Sequence, residues 1–526
     1  MQRESVVPKP PWPARLGGLL VGALVLSVLV IWSLATARYG GPDEPAHVLR
    51  AAAVARGDIL GDPVAGLDPG YRRTVVDASL TTGDPTCYRH DDDIPAACAH
   101  PAPTASGLDA AASSAGTYPP TYYALVGFPV RWFGDPANAG WYRIIAAFWC
   151  ALVVTIAACR VRRMGAGLLI ACVTPATWFL FGVVNPNSLE IALALLAWVG
   201  VERVRSRPQR LEIRDLVWIA APISVAIAIR PIAAMAGVAI TGATFVIVRH
   251  RPPGESAEPG EVGEPADPDA SIGRSAWGIL AGLPISAIVG VVGWNAWASV
   301  DISDQRTAEA VSIVSAIRRS FADSTETWRE MVGSLGWLEF SAPWIAHIGW
   351  WGMLTWAAVD ALRPGDHERT RLRRSWLWVL AVAVIGPIMF EAAFASSVGF
   401  IWQGRYSIPT ALGLTVLGIS SRWASLTERG RMIVAAIAAA VQVVTLWVVL
   451  QRYTVGAHGS WRFDRSAWQP PIPALLLLVL DAAAMAGIVL IARGMKSTEP
   501  ASSADSSRSG SAVGGFGNLA AHDIQR

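Results

Sequence analysis

The sequence predicts an all-α protein that crosses a membrane about a dozen times, and three observations carry that prediction. Of its 526 residues, 53% are hydrophobic and only 16% charged, where a soluble domain carries about 25% charge. Apolar runs recur along nearly the whole chain, each near the length of roughly 20 residues that spans a bilayer as a helix. The basic residues gather in alternate connections, which is where Lys and Arg fall when they stay on the cytoplasmic side.

A short N-terminus, residues 1–15, is expected in the cytoplasm. The run LLVGALVLSVLVIWSLATA follows, within 16–37. So many spans come after it that it reads as a retained anchor rather than a cleaved signal. The next spans are expected at 141–159, 166–184, 188–202, 215–230, 231–249, 276–297, 344–362, 375–395, 407–420, 432–451 and 471–493, so the membrane domain is 16–494. The basic segments RVRR (160–163), ERVRSRPQR (202–210), RHR (249–251), RPGDHERTRLRR (363–374) and SRWASLTERGR (421–431) then share the cytoplasmic face with both termini. The outer face receives the long first loop 38–140, the turn NPNS, the loop 298–343, the stretch 396–406 and the loop 452–470.

Within the first loop, YPPTYYALVGFPVRWFG at 118–134 is apolar enough to span. Counting it as a span would invert every later loop, so it is read as a helix lying at the interface. The 24 Trp suit interfacial belts. The Pro-, Gly- and Glu-rich linker 250–275 and the Ser/Gly-rich tail 495–526 are expected to be disordered and cytoplasmic. A net charge of +3 makes no case for nucleic acid. No repeat of fixed period, Gly-rich phosphate loop behind a strand or zinc-type cysteine spacing is present. Cys87 and Cys98 have ten residues between them in the outer loop, where a disulfide is expected.

The polar residues that can carry chemistry cluster at the outer ends of spans. In GGPDEPAHVLRAA, Pro45 suits the first turn of a helix, and Asp43 or Glu44 can cap it. That accounts for one acid but not for two together with His47. Asp43 and His47 stand four apart, a spacing that lets a carboxylate and an imidazole hold a divalent metal or act as base and orienter. In NPNSLE, Asn185 and Asn187 can cap helices, whereas Glu190 sits one turn into an apolar run, where an ionisable group faces a cavity or a partner. In FIWQGRYSIPT, Arg405 beside Tyr406 and Trp402 offers the forked guanidinium that phosphate prefers. Arg405, Tyr406, Asn185, Asn187 and Glu190 are therefore the candidates for binding substrate and its phosphate. Glu391, an acid inside a span, can pair with Arg405. Arg230 before Pro231 is either a second phosphate contact or a plain helix break, and the helix break is the simpler reading. The loop 298–343 reads as an amphipathic helix followed by a Gly/Trp turn at the membrane surface.

PDEPAH, YPPTYY, NPNSLE and QGRYSIP, in this order, resemble a large group of bacterial polytopic membrane proteins known as a domain of unknown function, itself similar to the GT-C class of glycosyltransferases. The resemblance covers about residues 15–495. It implies a GT-C-like bundle in the bacterial inner (cell) membrane, a polyprenyl-phosphate sugar as donor, and an acid in the first outer loop as base toward the acceptor hydroxyl. A divalent cation, Mg or Mn, can stand nearby. Asp43 and Glu44 match the acidic pair by position as the catalytic residues, with Asp43 and His47 as the metal's candidates. The expected function is transfer of a sugar, with inversion, to a cell-envelope glycan, lipid or protein at the outer face. The alternatives are a transporter or lipid flippase and a non-catalytic membrane protein of envelope assembly. Convergence of Asp43, Glu44, His47 and Arg405 on one outer cavity favours transfer; a pore through the midplane favours transport.

Overall fold

A computed structural model describes residues 14–67, 70–82, 85–99, 106–161, 165–206, 211–249, 274–298, 311–460, 462 and 468–494. The N-terminal segment, the linker 250–275 and the tail 495–526 lie outside these, apart from residues 14–15 and 274–275 at their edges.

Every apolar run of the sequence folds as helix. In chain order the helices are α1 (Ala14–Ala35), α2 (Glu44–Ala55), α3 (Thr121–Phe133), α4 (Ala139–Arg160), α5 (Gly165–Cys172), α6 (Pro175–Phe181), α7 (Pro186–Arg205), α8 (Ile213–Ile229) and α9 (Ala234–Arg249). They continue with α10 (Arg274–Trp297), α11 (Ile313–Ala322), α12 (Ser324–Gly333), α13 (Trp344–Ala361), α14 (His367–Val398), α15 (Gly404–Ser425), α16 (Glu428–Val455) and α17 (Ala474–Gly494). The run expected as one span at 166–184 is two helices. Pro175 cannot continue α5, and Thr174 caps α6 by accepting from the Thr177 N–H.

Among the described residues, seven helices are long and apolar enough to cross a membrane: α1, α4, α9 with the short turn before it, α10, α14, α16 and α17. α7 is not among them: it carries Glu190, Glu202, Arg203 and Arg205 within its 20 residues, and it faces protein. All of its residues except Arg203 are buried, and it packs on α4, α8 and α15. Around it, α1 packs on α4 and α17, α9 on α14, and α13 on α15. At one end of the bundle the ends of α7 and α13–α15 are joined by ion pairs: Arg205 meets Glu202 at 2.7 Å and Glu368 at 2.8 Å, and the buried Asp360 meets Arg369 and Arg422 at 3.3 Å.

The other end carries α2 and α3. Helix α3 has 13 residues, about 20 Å against the ~30 Å of a hydrocarbon core. It lies against α2, and the pair meet so closely at Gly127 that any Cβ there would strike the Ala51 carbonyl. Beside them lies a three-stranded antiparallel sheet, β1 (Asp62–Pro63), β2 (Arg72–Asp77) and β3 (Leu108–Ser113), with Thr74 opposite Ala111. The helical reading of the chain contained no strands. In β2 the buried side chains alternate with others, the period of a half-buried strand, but the alanines of β3 carry no such signal.

One buried ion pair ties this end together. The Arg143 guanidinium, from the first turns of α4, donates to both Glu44 oxygens at 2.6 Å. Its other N–H groups donate to the carbonyls of Ser33 (2.9 Å), Thr36 (2.7 Å) and Ala37 (2.7 Å) at the end of α1. Glu44 also accepts from the Gly41 N–H at 3.1 Å and the Val184 N–H at 3.0 Å. Both groups are thereby saturated. A second buried cation, Arg452 of α16, donates to the carbonyls of Tyr88 (2.8 Å), Asp91 (2.8 Å) and Ile94 (2.6 Å). These lie in the loop that the Cys87–Cys98 disulfide closes. Gly456, with φ 86°, then turns the chain so tightly under Asp93 that no side chain fits.

Replacing Arg143 by Met leaves the Glu44 carboxylate buried without its partner, a loss of about 3–5 kcal/mol. The variant is expected to lose most of its detergent-stable monodisperse protein or to melt far earlier in a thermal scan; an unchanged melt would refute the assignment.

Candidate active site

The turn 39–44 presents the two acids in opposite directions. Asp43 adopts φ 57°, the left-handed conformation that Asp tolerates better than most residues. It stands at the N-cap of α2, yet its side chain makes no capping bond. With the next residue in the helix, Glu44 turns inward to Arg143 and is fully buried, while the Asp43 side chain is 47% exposed.

Asp43 Oδ2 accepts from Arg405 Nη2 at 2.8 Å, and Oδ1 accepts nothing from the described residues. Arg405 comes from the first turn of α15 and is only 7% exposed. The same Nη2 reaches the Tyr406 hydroxyl at 3.2 Å, while Nε and Nη1 are buried without a partner. Arg230, where α8 ends at Pro231, lies over the Tyr406 ring at 4.8 Å and the Tyr118 ring at 5.9 Å. Two guanidiniums thus flank Tyr406, and one half-exposed carboxylate faces them. Arg230 is both the helix break and part of the polar cluster.

Behind them, Arg230 donates to Asn187 Oδ1, and Asn187 Nδ2 donates to Glu190 Oε2 at 3.0 Å. Glu190 is fully buried, and its Oε1 has no partner. Asn185 caps α7 through the Asn187 N–H at 3.0 Å, and its Nδ2 holds the Pro42 carbonyl at 2.8 Å, next to Asp43. The NPNS turn therefore supports the acidic turn from below. Glu391 does not pair with Arg405: its Oε1 accepts from the Ile401 and Trp402 N–H groups at 3.0 and 2.6 Å.

His47 sits one turn beyond Asp43, with Nδ1 2.9 Å from the Tyr123 hydroxyl and its ring beside Tyr118 and Tyr123. Burial pushes its pKa down to about 3; Asp43 opposes that shift, and Arg230 and Arg405 reinforce it. Burial would raise the Asp43 carboxyl, but the charge of Arg405, its hydrogen bond and the charge of Arg230 hold it below its ordinary value. Tyr118 and Tyr123 keep their protons because burial raises both phenols. The cluster is an ionised carboxylate and a neutral imidazole beside two guanidiniums.

Arg143 and the paired tyrosines went unassigned in the sequence. An Arg three residues into the apolar stretch WYRIIAAFW was the available signal for the first. The tyrosines were visible as YPPTYY, but nothing in their spacing tells that Tyr123 meets His47.

The family described as "Predicted membrane protein (DUF2142)" matches residues 26–414. No curated protein matches the chain. Among solved structures, ArnT from Cupriavidus metallidurans, bound to undecaprenyl phosphate, is similar over 91% of this chain and 77% of that one, with 13% identity and a TM-score of 0.44.

His47 takes up a proton on unfolding, where imidazole titrates near 6.5. Below that pH the unfolded chain binds more protons, so this residue lowers stability as pH falls toward 3, by up to ~1.4 kcal/mol per unit. A His47→Gln variant is expected to lose less melting temperature than the parent between about pH 7 and about pH 5; parallel curves would contradict the buried neutral imidazole.

Proposed function

We propose, from the premise that this chain belongs to the DUF2142 family of predicted membrane proteins, that it transfers a sugar from a polyprenyl-phosphate donor to a hydroxyl of a cell-envelope acceptor. The reaction takes place at the outer face of the bacterial cell membrane. The observation that carries this reading is Asp43, half-exposed and ionised, held by Arg405, whose remaining donors are buried and unpartnered, with Arg230 alongside.

A polyprenyl-phosphate sugar is a phosphodiester with one negative charge. When the bond from the anomeric carbon to the phosphate oxygen breaks, the leaving phosphate gains a second. Unpartnered donors of Arg405, together with Arg230, suit that developing charge, because preorganised donors at a desolvated site need no rearrangement as it appears. The acceptor oxygen attacks the same carbon from the opposite face, and its proton passes to Asp43 Oδ1. Arg405 Nη2 keeps Oδ2 fixed meanwhile, which leaves one oxygen for the proton. As the phosphate draws on Arg405, the pull of that cation on Asp43 weakens and the carboxylate becomes more basic when it must accept. A single displacement inverts the anomeric centre. Glu44, saturated by Arg143, serves as the anchor of the turn, and Asn185 and Asn187 hold Pro42 and Arg230 in place.

The donor set does not fit a divalent cation. Asp43 and His47 offer two ligand atoms beside two guanidiniums. Among the described residues, the cluster of three such ligands is Asp92, Asp93 and His458, and it includes neither Asp43 nor His47. No step is routed through a metal. The polar cluster also sits at one end of the bundle, whereas transport sites lie near the midplane.

With purified protein and a panel of polyprenyl-phosphate sugars, Asp43→Asn is expected to lower turnover about 10²–10⁴-fold while donor binding persists. Arg405→Gln is expected to weaken both binding and turnover. Full activity of Asp43→Asn would end the base assignment. Chelation of divalent ions by EDTA is expected to leave transfer unchanged, and loss of activity restored by Mg or Mn would overturn the metal-free route.

A further inference from the structure

Beyond Trp402 from the Arg405–Tyr406 pair lies a separate cavity of about 50 Å³, between α11, α12 and the outer half of α14. It is lined by Trp328, Phe400 and Trp402 on the aromatic side and by Glu391, Ser320 and Asp323 on the polar side. Glu391 is 3% exposed. Its Oε1 is fixed by two backbone N–H groups, but Oε2 is buried without a partner, as is Ser320 Oγ. A buried carboxylate oxygen without a donor is costly. The cavity has room for about three or four water-sized groups, which matches the hydroxyl edge of a sugar ring rather than a whole oligosaccharide. Helix α11, which borders the cavity, exposes Ile313, Val314, Ile317 and Phe321, the apolar face expected of a helix lying at a membrane surface.

We infer that a sugar ring binds at the mouth of this cavity, with a hydroxyl reaching in to donate to Glu391 Oε2 and the ring's C–H face resting on Trp328. The Trp402 ring meets Tyr406 edge-on at 5.8 Å, so the bound ring lies one aromatic layer from the two guanidiniums. As a subsite of sugar transfer it rests on the reading above; as a binding site it is measurable without turnover.

The test uses the full chain in nanodiscs, with saturation-transfer NMR on a panel of methyl hexosides and methyl pentosides. Wild type is expected to give saturation transfer with at least one glycoside. Glu391→Gln and Trp328→Leu are each expected to bind it about tenfold more weakly. Undiminished binding by Glu391→Gln, or no signal from any glycoside with wild type, as expected of a cavity that holds water only, overturns the inference. Glycoside binding that depends on Glu391 in a protein that transfers from no donor would sink the transferase reading and leave this site standing.

Discussion

The pairing of Arg143 with Glu44 is the constraint on which this end of the protein depends. One guanidinium gathers the last carbonyls of α1 and the first carboxylate of α2, and the same carboxylate takes the Val184 N–H from the turn before α7. Three stretches that are distant in sequence, 33–44, Arg143 and Val184, are thereby fixed to each other. Both ions are desolvated, so the arrangement holds only because every donor and every lone pair is used. Asp43, in the left-handed conformation just before Glu44, turns its carboxylate the other way, toward α15.

Neighbouring acids in the chain thus acquire different work from their environments rather than from their identity. Glu44 is enclosed by cation and amide hydrogens and has no lone pair to offer. Asp43 has one oxygen held and one free. The difference between the two is a matter of which way a single turn faces.

Much of the architecture was legible in the amino-acid pattern, because a bilayer imposes length and polarity on each helix. The runs at 141–159, 276–297 and 471–493 became α4, α10 and α17, and YPPTYY led into a helix too short to cross. The division of the run at 166–184 turned on Pro175, which a hydropathy reading averages away. The three-stranded sheet was hidden because β3 is alanine-rich and takes its shape from β2. At the site, the chain identified the residue types but not their partners. Arg230 looked like a helix break and is also a neighbour of Tyr406, and Glu391 looked like a partner for Arg405 and instead binds the Ile401–Trp402 backbone. The first contact joins distant segments of the chain and the second depends on how the backbone after α14 folds back, and one chain read alone contains no record of either.

The contacts at this end also impose an order on biosynthesis. Asp43 meets a cation 362 residues later, and the loop closed by Cys87–Cys98 takes a guanidinium from 358 to 364 residues further along. While the ribosome is still making the middle of the chain, both cations are absent and the acidic turn stands open. Oxidation of the cysteines can run ahead of this, but the loop gains its central charge only when α16 enters the bilayer. The protein therefore completes its polar cluster last, after most of the hydrophobic scaffold has been inserted.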